Sequence, residues 1–388
     1  MKQLALWLAI CAGMLPAQRV VEFNGPGTAV RVEPGHLWQG NADAIEIPLP
    51  GGVKRANREW RQVRGPGDFS WSGKLEGAAG SALFTYRSGL LRGRIDSREG
   101  TFLLEPRGNG YVLIEIDDAG FAPCAGAMTD AAGGAGRFAS VLPPDSPVRL
   151  DRETEESGGP VIDVLVAHTE SAQREAGGKA EMASAIQNMV DLTNLVFRNS
   201  GVKATLRLAG SVELTPGELR ENTQREYLRV LGRDETIEKL REEGKADLVT
   251  LLLSRGEGEN NSCGVGYLLT QRNRESGSGA FSVVKLSCAI GNLTFPHELG
   301  HNMGLEHDPA NGRAPESALT PYAFGHFVDG EFRTVMAYAS PCLRGCRRVP
   351  HFSNPGVTYN GNTTGIEGER DNALVLAETV DWVSRFRQ

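Results

Sequence analysis

The chain has 388 residues, which exceeds the usual span of one domain and favours two domains plus a targeting segment. Apolar residues make up 40% and charged residues 23%, the proportions of an ordinary folded soluble protein. The formal net charge of -7 provides no basic surface for a phosphate backbone, so we expect no nucleic-acid partner.

The first 17 residues have the layout of a secretory signal peptide. Lys2 precedes an apolar run over residues 4–15, and Ala17 is the expected cleavage position. The alternative, a membrane anchor, needs about 20 apolar residues, and this run is shorter. We therefore expect a secreted protein without an integral membrane segment, which is periplasmic if the host has two membranes.

Residues 18–141 are predicted to form a small β-rich N-terminal domain. Short runs of alternating apolar residues, broken by glycine and proline, indicate strands. These runs cover residues 28–32, 81–86, 90–95 and 111–116. Trp38, Trp60 and Trp71 are expected in its core. Apart from Cys124, this domain carries no recognisable chemistry, which favours a folding or covering role over an adhesive one.

Residues 142–159 have the composition of an exposed linker, with three prolines, a charged run and a glycine pair. We place the domain boundary there, and Arg149 and Arg152 make the linker a candidate processing site. From residue 160 to 388, strand-like and helix-like segments alternate, which predicts an α/β domain with a mixed sheet. Its predicted strands cover residues 161–167, 204–212, 247–253 and 280–286, and its predicted helices lie within 182–197, 216–243 and 372–386.

The cysteines are odd in number once the signal peptide is removed, because one of the 6 lies within it. In an oxidising compartment, the four near the C-terminal end are expected to form two disulfides. Pairing Cys263 with Cys288 and Cys342 with Cys346 is the simplest of the schemes that the sequence leaves open. Cys124 is then without a partner.

Residues 295–308 carry the chemistry of the chain. On a helix, His297 and His301 lie four residues apart, so both imidazoles project from one face and can share a metal ion. Glu298 sits beside them, free to face a water molecule on the metal. Gly304 can take the left-handed conformation that ends a helix, and the turn brings His307 back as a third ligand. Three imidazoles with a fourth place open are typical of catalytic zinc.

A chance occurrence of this pattern is disfavoured. Histidine is 7 of 388 residues, so a third histidine at one given place has a probability of about 0.02. Zinc lowers the pKa of water from about 15.7 to about 7 and polarises a carbonyl, so it supplies most of the activation. Glu298 then takes the proton of the water and returns it to the leaving amine. The predicted reaction is peptide hydrolysis without a covalent intermediate.

The sequence from His297 to Asp308 resembles the zinc motif of the metzincin peptidases, and Asp308 after the third histidine resembles the reprolysin or adamalysin branch. Residues 333–338 are similar to the Met-turn of that clan, which implies that Met336 forms an apolar floor beneath the metal. The resemblance covers about 161–388, and it implies a twisted mixed sheet with an active-site helix.

Tyr338 departs from typical reprolysins and resembles astacins and serralysins, in which the tyrosine lies near the metal. The resemblance implies that Tyr338 either helps to hold the oxyanion that develops on the substrate carbonyl or has only a packing role. In the same family an edge strand binds substrate by strand addition, and residues 263–268 are similar in placement, although their glycines also fit a simple bend.

Some reprolysin relatives use a prodomain cysteine as an inhibitory zinc ligand, which implies the same for Cys124, against an idle or differently paired cysteine. Together these resemblances imply a secreted zinc endopeptidase that acts on proteins or peptides. The alternatives are a zinc-binding pseudo-peptidase and an extracellular adhesion or recognition protein.

Overall fold

The structure is a computed structural model, and it falls into two compact units. It describes residues 29–30, 42–49, 51–77, 79–108, 110–129, 138–141, 158–217, 219, 221–259, 261–273 and 275–387. The predicted signal peptide, Trp38, and the linker up to residue 157 with Arg149 and Arg152 lie outside these residues. The first unit comprises Met1–Asp117 with Lys179–Asp191, and the second comprises Asp118–Gly178 with Leu192–Gln388.

Among the described residues, the first unit contains an eight-stranded antiparallel sheet in the order β1-β8-β7-β6-β5-β4-β3-β2. The strands are β1 Ala29–Val30, β2 Ala44–Leu49, β3 Gly52–Gly65, β4 Asp68–Leu75, β5 Ser81–Arg87, β6 Leu90–Asp96, β7 Thr101–Arg107 and β8 Gly110–Glu115. The predicted strands at 81–86, 90–95 and 111–116 are confirmed. β3 was not predicted, because most of its side chains are polar and few of its residues are buried. Apolar and polar residues therefore do not alternate along it.

The core of this sheet is built by alternation, since successive side chains of a strand point to opposite faces. In β2, every second residue is buried, and Ile45, Ile47 and Leu49 face the core. Trp71 is fully buried, and its indole nitrogen donates to Ala42 O at 3.0 Å. The expectation for Trp60 is wrong, because this side chain is partly exposed.

The second unit is built on a mixed sheet, as predicted. Its described strands follow the order β13-β14-β12-β10-β11-β9, with β10, β11, β12 and β14 parallel and the two outer strands antiparallel to their neighbours. The bounds are β9 Phe138–Val141, β10 Val161–Thr169, β11 Thr205–Pro216, β12 Leu248–Leu253, β13 Gly264–Gly266 and β14 Phe281–Lys285. The central strand β12 is buried along its whole length, which explains its continuous apolar sequence.

Seven helices belong to the described residues: α1 Glu170–Ala176, α2 Lys179–Asn199, α3 Gln224–Leu231, α4 Glu235–Glu243, α5 Leu286–Ala289, α6 Thr294–Asn302 and α7 Asn372–Val383. The prediction of one helical stretch over 216–243 is wrong, since β11 runs to Pro216 and two short helices follow. The break comes at Asp234, whose side chain accepts from the backbone nitrogens of Thr236 and Ile237 and so starts α4.

Short strand pairs and two disulfides complete the second unit. The remaining strands are β15 Phe327–Val328, β16 Phe332–Arg333, β17 Arg347–Arg348, β18 Thr358–Tyr359 and β19 Asn362–Thr363. Disulfides join Cys263 to Cys288 and Cys342 to Cys346, which confirms the simplest pairing. None of the described helices has the length and apolar character needed to cross a membrane.

Candidate metal centre and active site

Helix α6 carries His297, Glu298 and His301, and all three are fully buried. The two imidazole centroids are 4.9 Å apart, as their spacing on one helix face requires. Gly304 has a φ of 97°, the left-handed conformation that glycine favours, and a Cβ there would also meet Leu319 at 2.5 Å. The chain turns at this glycine, and it returns His307 to the two helix histidines.

The three histidines converge through their Nε2 atoms. Nε2 of His307 lies 3.2 Å from that of His297 and 2.9 Å from that of His301. The opposite nitrogens face backbone carbonyls: Nδ1 of His297 lies 2.8 Å from Val335 O, and Nδ1 of His301 lies 2.7 Å from Leu305 O. A carbonyl only accepts, so each Nδ1 carries the proton and each Nε2 presents a lone pair.

This donor set fits a metal ion. Burial lowers the pKa of all three histidines, that of His307 to about 4, so the rings stay neutral. Three lone pairs that face one another repel unless a cation lies between them. Zinc–nitrogen bonds of 2.0–2.1 Å place tetrahedral ligands about 3.3 Å apart, close to the separations seen here. Backbone partners on Nδ1 are the usual support for ligating histidines.

Glu298 is a buried carboxyl group that lies beside the thiol of Cys124. The thiol lowers the pKa of Glu298, but burial has the larger effect and raises this pKa to about 8. Strand β13 passes closely above Glu298, and a Cβ on Gly264 would stand 2.7 Å from Glu298 Oε1. Gly264 therefore makes room for the carboxyl group of Glu298. No pattern in the sequence indicated this role.

The loop that resembles a Met-turn lies against the histidines. Met336 is fully buried, and its sulfur would stand 2.7 Å from a Cβ on Gly300 of the active-site helix. The Tyr338 ring lies 4.3 Å from that of His307 between centroids. Asp308 joins this loop to the third histidine, because its carboxylate accepts from Tyr338 N at 2.9 Å.

Cys124 joins the same cluster. Its sulfur and one nitrogen from each of His297, His301 and His307 all lie within 4.8 Å of one another. It is buried, and it is the free cysteine among the described residues. The hydroxyl of Tyr338 donates to the backbone carbonyl of Cys124 at 3.0 Å.

The segment around Cys124 runs beside strand β13 through backbone hydrogen bonds. Cys263 N donates to Pro123 O at 2.9 Å, and Ala125 N donates to Gly264 O at 2.8 Å. Further along, Met128 N donates to Gly266 O at 2.9 Å. The edge of the sheet nearest the histidines therefore already carries an added strand-like segment, which the sequence did not predict.

Arg348 is a functional candidate that sequence reasoning missed. It is buried, and its guanidinium donates to Asn292 O at 2.8 Å and to Ala337 O at 3.1 Å. Burial and then Arg333 lower its pKa to about 9, so it stays charged at neutral pH. Its charge acts on the buried Glu298. No motif or spacing marks this arginine in the sequence.

The remaining histidines stand apart from the cluster. His36 lies outside the described residues, while His168, His326 and His351 contribute no atom to the convergent ligand set. Burial lowers the pKa of His326 to about 4, and Arg370 lowers it further. His168, His326 and His351 therefore take no part in the candidate metal site.

Comparison with known proteins identifies the family. The model of "Metallo-peptidase family M12B Reprolysin-like" matches residues 159–368. A peptidyl-Asp metalloendopeptidase of Stenotrophomonas maltophilia strain R551-3 is 31% identical over 359 residues, which cover 84% of this chain and 76% of that protein. A protein of that name from Xanthomonas campestris pv. campestris is 29% identical, over 95% of this chain and 88% of its own length. The chain therefore belongs to the reprolysin-like M12B family and is a metalloendopeptidase.

Proposed function

We propose that this protein is a secreted, latent zinc endopeptidase that cleaves peptide bonds next to aspartate. The observation that carries the proposal is the convergence of three neutral imidazole nitrogens on the helix that also buries Glu298. Relatives that align with most of this chain are named for peptidyl-Asp cleavage, which supports the substrate class.

His297, His301 and His307 would hold the zinc ion. When bound, zinc supplies a Lewis acid that acidifies water and polarises the carbonyl of the scissile bond. Glu298 takes the proton from the attacking water and delivers it to the leaving amine. Burial raises the pKa of Glu298 to about 8, so this carboxyl group can both accept and release a proton near neutral pH.

Tyr338 supports the negative charge that develops on the carbonyl oxygen. Its hydroxyl already donates to a backbone carbonyl at the cluster, that of Cys124, at 3.0 Å. A substrate carbonyl in the same place receives the same donor, and the bond strengthens as the oxygen becomes an oxyanion. Asp308 fixes the backbone of Tyr338 and so aims the hydroxyl.

A substrate binds in extended form along β13. This strand is at one edge of the six-stranded sheet, and the segment from Pro123 to Met128 now uses its free backbone groups. An incoming peptide forms similar hydrogen bonds once that segment leaves. The N-terminal segment and a substrate therefore compete for one edge.

Latency would depend on Cys124, whose sulfur lies within 4.8 Å of the ligand nitrogens of the three histidines. As a thiolate, this sulfur would supply a fourth ligand to zinc in place of water. We propose processing within residues 142–159, which frees the site for solvent. Cys124→Ser is expected to give activity in the unprocessed chain, measured with a fluorogenic peptide; an unchanged lag before activity would reject the cysteine switch.

The proposal is tested by comparing wild type, chelator-treated protein and Glu298→Ala in the digestion of casein and of a peptide that contains aspartate. We expect Glu298→Ala to bind one zinc ion per chain by metal analysis and to lose cleavage. Secretion is tested by locating the protein in culture supernatant or periplasm. Undiminished turnover by Glu298→Ala would remove this residue from the mechanism.

A further inference from the structure

The carboxylate of Asp118, which precedes Cys124 in the chain, lies beside two buried arginines near the active centre. Asp118 begins a short 3-10 helix, Asp118–Gly120. Its Oδ2 accepts from the backbone nitrogen of Arg348 at 2.5 Å and lies 3.9 Å from Nη2 of Arg333. The side chain of Asp118 is 16% exposed, and that of Arg333 is 3% exposed.

The basic site consists of the guanidinium groups of Arg333 and Arg348, held by backbone carbonyls. Both donate to Ala337 O, each at 3.1 Å. Nε of Arg348 is buried and has no hydrogen-bond partner among the described residues. The other carboxylate whose charge acts on Arg333 is that of Asp308, which is engaged by the backbone of Tyr338.

Asp118 acts on both buried arginines, whereas Asp308 acts on Arg333 and Glu298 interacts with Arg348. Both arginines therefore lose a counter-charge when Asp118 leaves. A buried guanidinium without a counter-charge is costly, so the emptied site favours a new carboxylate. An arginine also discriminates a carboxylate from an amide of the same shape, because the ionised acceptor makes the stronger hydrogen bond.

The site adjoins the reacting groups. Ala337, the carbonyl that both arginines use, lies between Met336 and Tyr338 in the loop beneath the histidines. The charge of Arg348 also acts on Tyr338 and Cys124. Through Ala337, the Arg348 guanidinium is therefore hydrogen-bonded to the loop that lies against the histidines.

We propose that Arg348, supported by Arg333, receives the aspartate side chain of the substrate, and that Asp118 occupies this site in the intact chain in place of that side chain. The inference rests on the proposed peptidase function and deepens it. Cys124 and Asp118 then block the two functional parts of one site, the metal and the specificity subsite.

The first test compares two peptides that differ only in aspartate or asparagine after the scissile bond. We expect processed wild type to prefer aspartate in kcat/KM by about 10-fold or more, and Arg348→Gln to lose most of this preference while it still cleaves the asparagine peptide. Arg348→Lys should retain part of it. Arg344→Gln is the matched control, since it removes an equal charge from a side chain that is 75% exposed.

The outcomes separate this inference from the function on which it rests. If wild type cleaves neither peptide, the proposed function fails. If it cleaves both equally, or if active Arg348→Gln keeps the full preference for aspartate, the peptidase function stands and the role of Arg348 is overturned.

A second measurement does not depend on the folding of any variant. Synthetic peptides of residues 116–126, with Cys124→Ser to remove the metal ligand, are tested as inhibitors of processed wild type. We expect Asp118→Asn to weaken inhibition by about 10-fold, while the neighbouring Asp117→Asn control leaves it within about twofold. Equal inhibition by all three peptides would overturn the occupancy of the site by Asp118.

Discussion

A buried ion pair of the first unit and the charged groups of the candidate site in the second unit differ in how they are satisfied. In the first unit, Arg94 and Asp96 are nearly inaccessible and satisfy each other, with Nε to Oδ2 at 2.9 Å and Nη2 to Oδ1 at 2.7 Å. The hydroxyl of Thr101 adds a third bond to Asp96 at 3.0 Å. In the second unit, Glu298 is buried with the free thiol of Cys124 beside it, and Nε of Arg348 is buried without a hydrogen-bond partner among the described residues.

This contrast distinguishes a structural from a functional use of buried charge. A buried polar group costs free energy unless it is bonded, and a closed pair such as Arg94–Asp96 meets that cost within the fold. Buried groups with unused hydrogen-bonding capacity offset this cost only when a ligand binds to them. The contrast predicts that opening the Arg94–Asp96 pair acts on stability, and that changes at the charged groups of the candidate site act on activity.

The largest effect is expected from loss of a converging histidine. His301→Ala removes one of the three imidazoles, so zinc content should fall below one per chain and kcat/KM should drop about 1,000-fold or more. Zinc is measured by elemental analysis, and a chelator should reproduce the loss in wild type. Full zinc content in the folded variant would contradict the assignment of His301.

Next in size is the expected loss of stability when the closed pair is opened. Asp96→Ala leaves Arg94 buried without its counter-charge, so the free energy of unfolding of the first unit should fall by about 3–5 kcal/mol in urea titrations. Asp43→Ala is the control, because it opens an ion pair whose carboxylate is 84% exposed and should cost at most about 1 kcal/mol. Similar losses for both would remove the distinction.

A smaller change in rate is expected at Tyr338. Tyr338→Phe removes the hydroxyl and keeps the ring beside His307, so kcat should fall about 100-fold with little change in KM or zinc content. Steady-state kinetics on one peptide separate the two constants. An unchanged kcat would assign Tyr338 to packing alone.

The smallest effect is expected at Asp247, a buried carboxyl group with a hydrogen bond to one of its two oxygens. Asp247 accepts from Asp163 N at 2.9 Å through Oδ2, its Oδ1 has no partner among the described residues, and burial raises its pKa to about 7. Folding favours the protonated form, so the free energy of unfolding should decrease as pH rises from about 5.5 to 8, by about 2 kcal/mol. Asp247→Asn should reduce this dependence on pH. Equal free energies of unfolding for wild type at pH 5.5 and pH 8, measured by urea denaturation, would refute the assignment.

Short-range spacing let the sequence predict much of the second unit. Residues three, four and seven apart share a helix face, so the periodicity of residues 182–197 predicted α2, and the motif from His297 to His307 predicted a convergence that depends on one helix turn and one glycine. Apolar runs predicted the central strands for the same reason. The break between α3 and α4 was missed, because charged helical residues conceal a cap at Asp234.

Contacts between distant parts of the chain were decided by the tertiary structure. Gly264 meets Glu298, and the sulfur of Cys124 meets the histidines, because the sheet brings its edge strand β13 and the segment beside it to helix α6. Asp118 reaches Arg348 through the same long-range packing. Periodicity describes neighbours along one element, whereas these contacts depend on how separate elements pack, which no local pattern encodes.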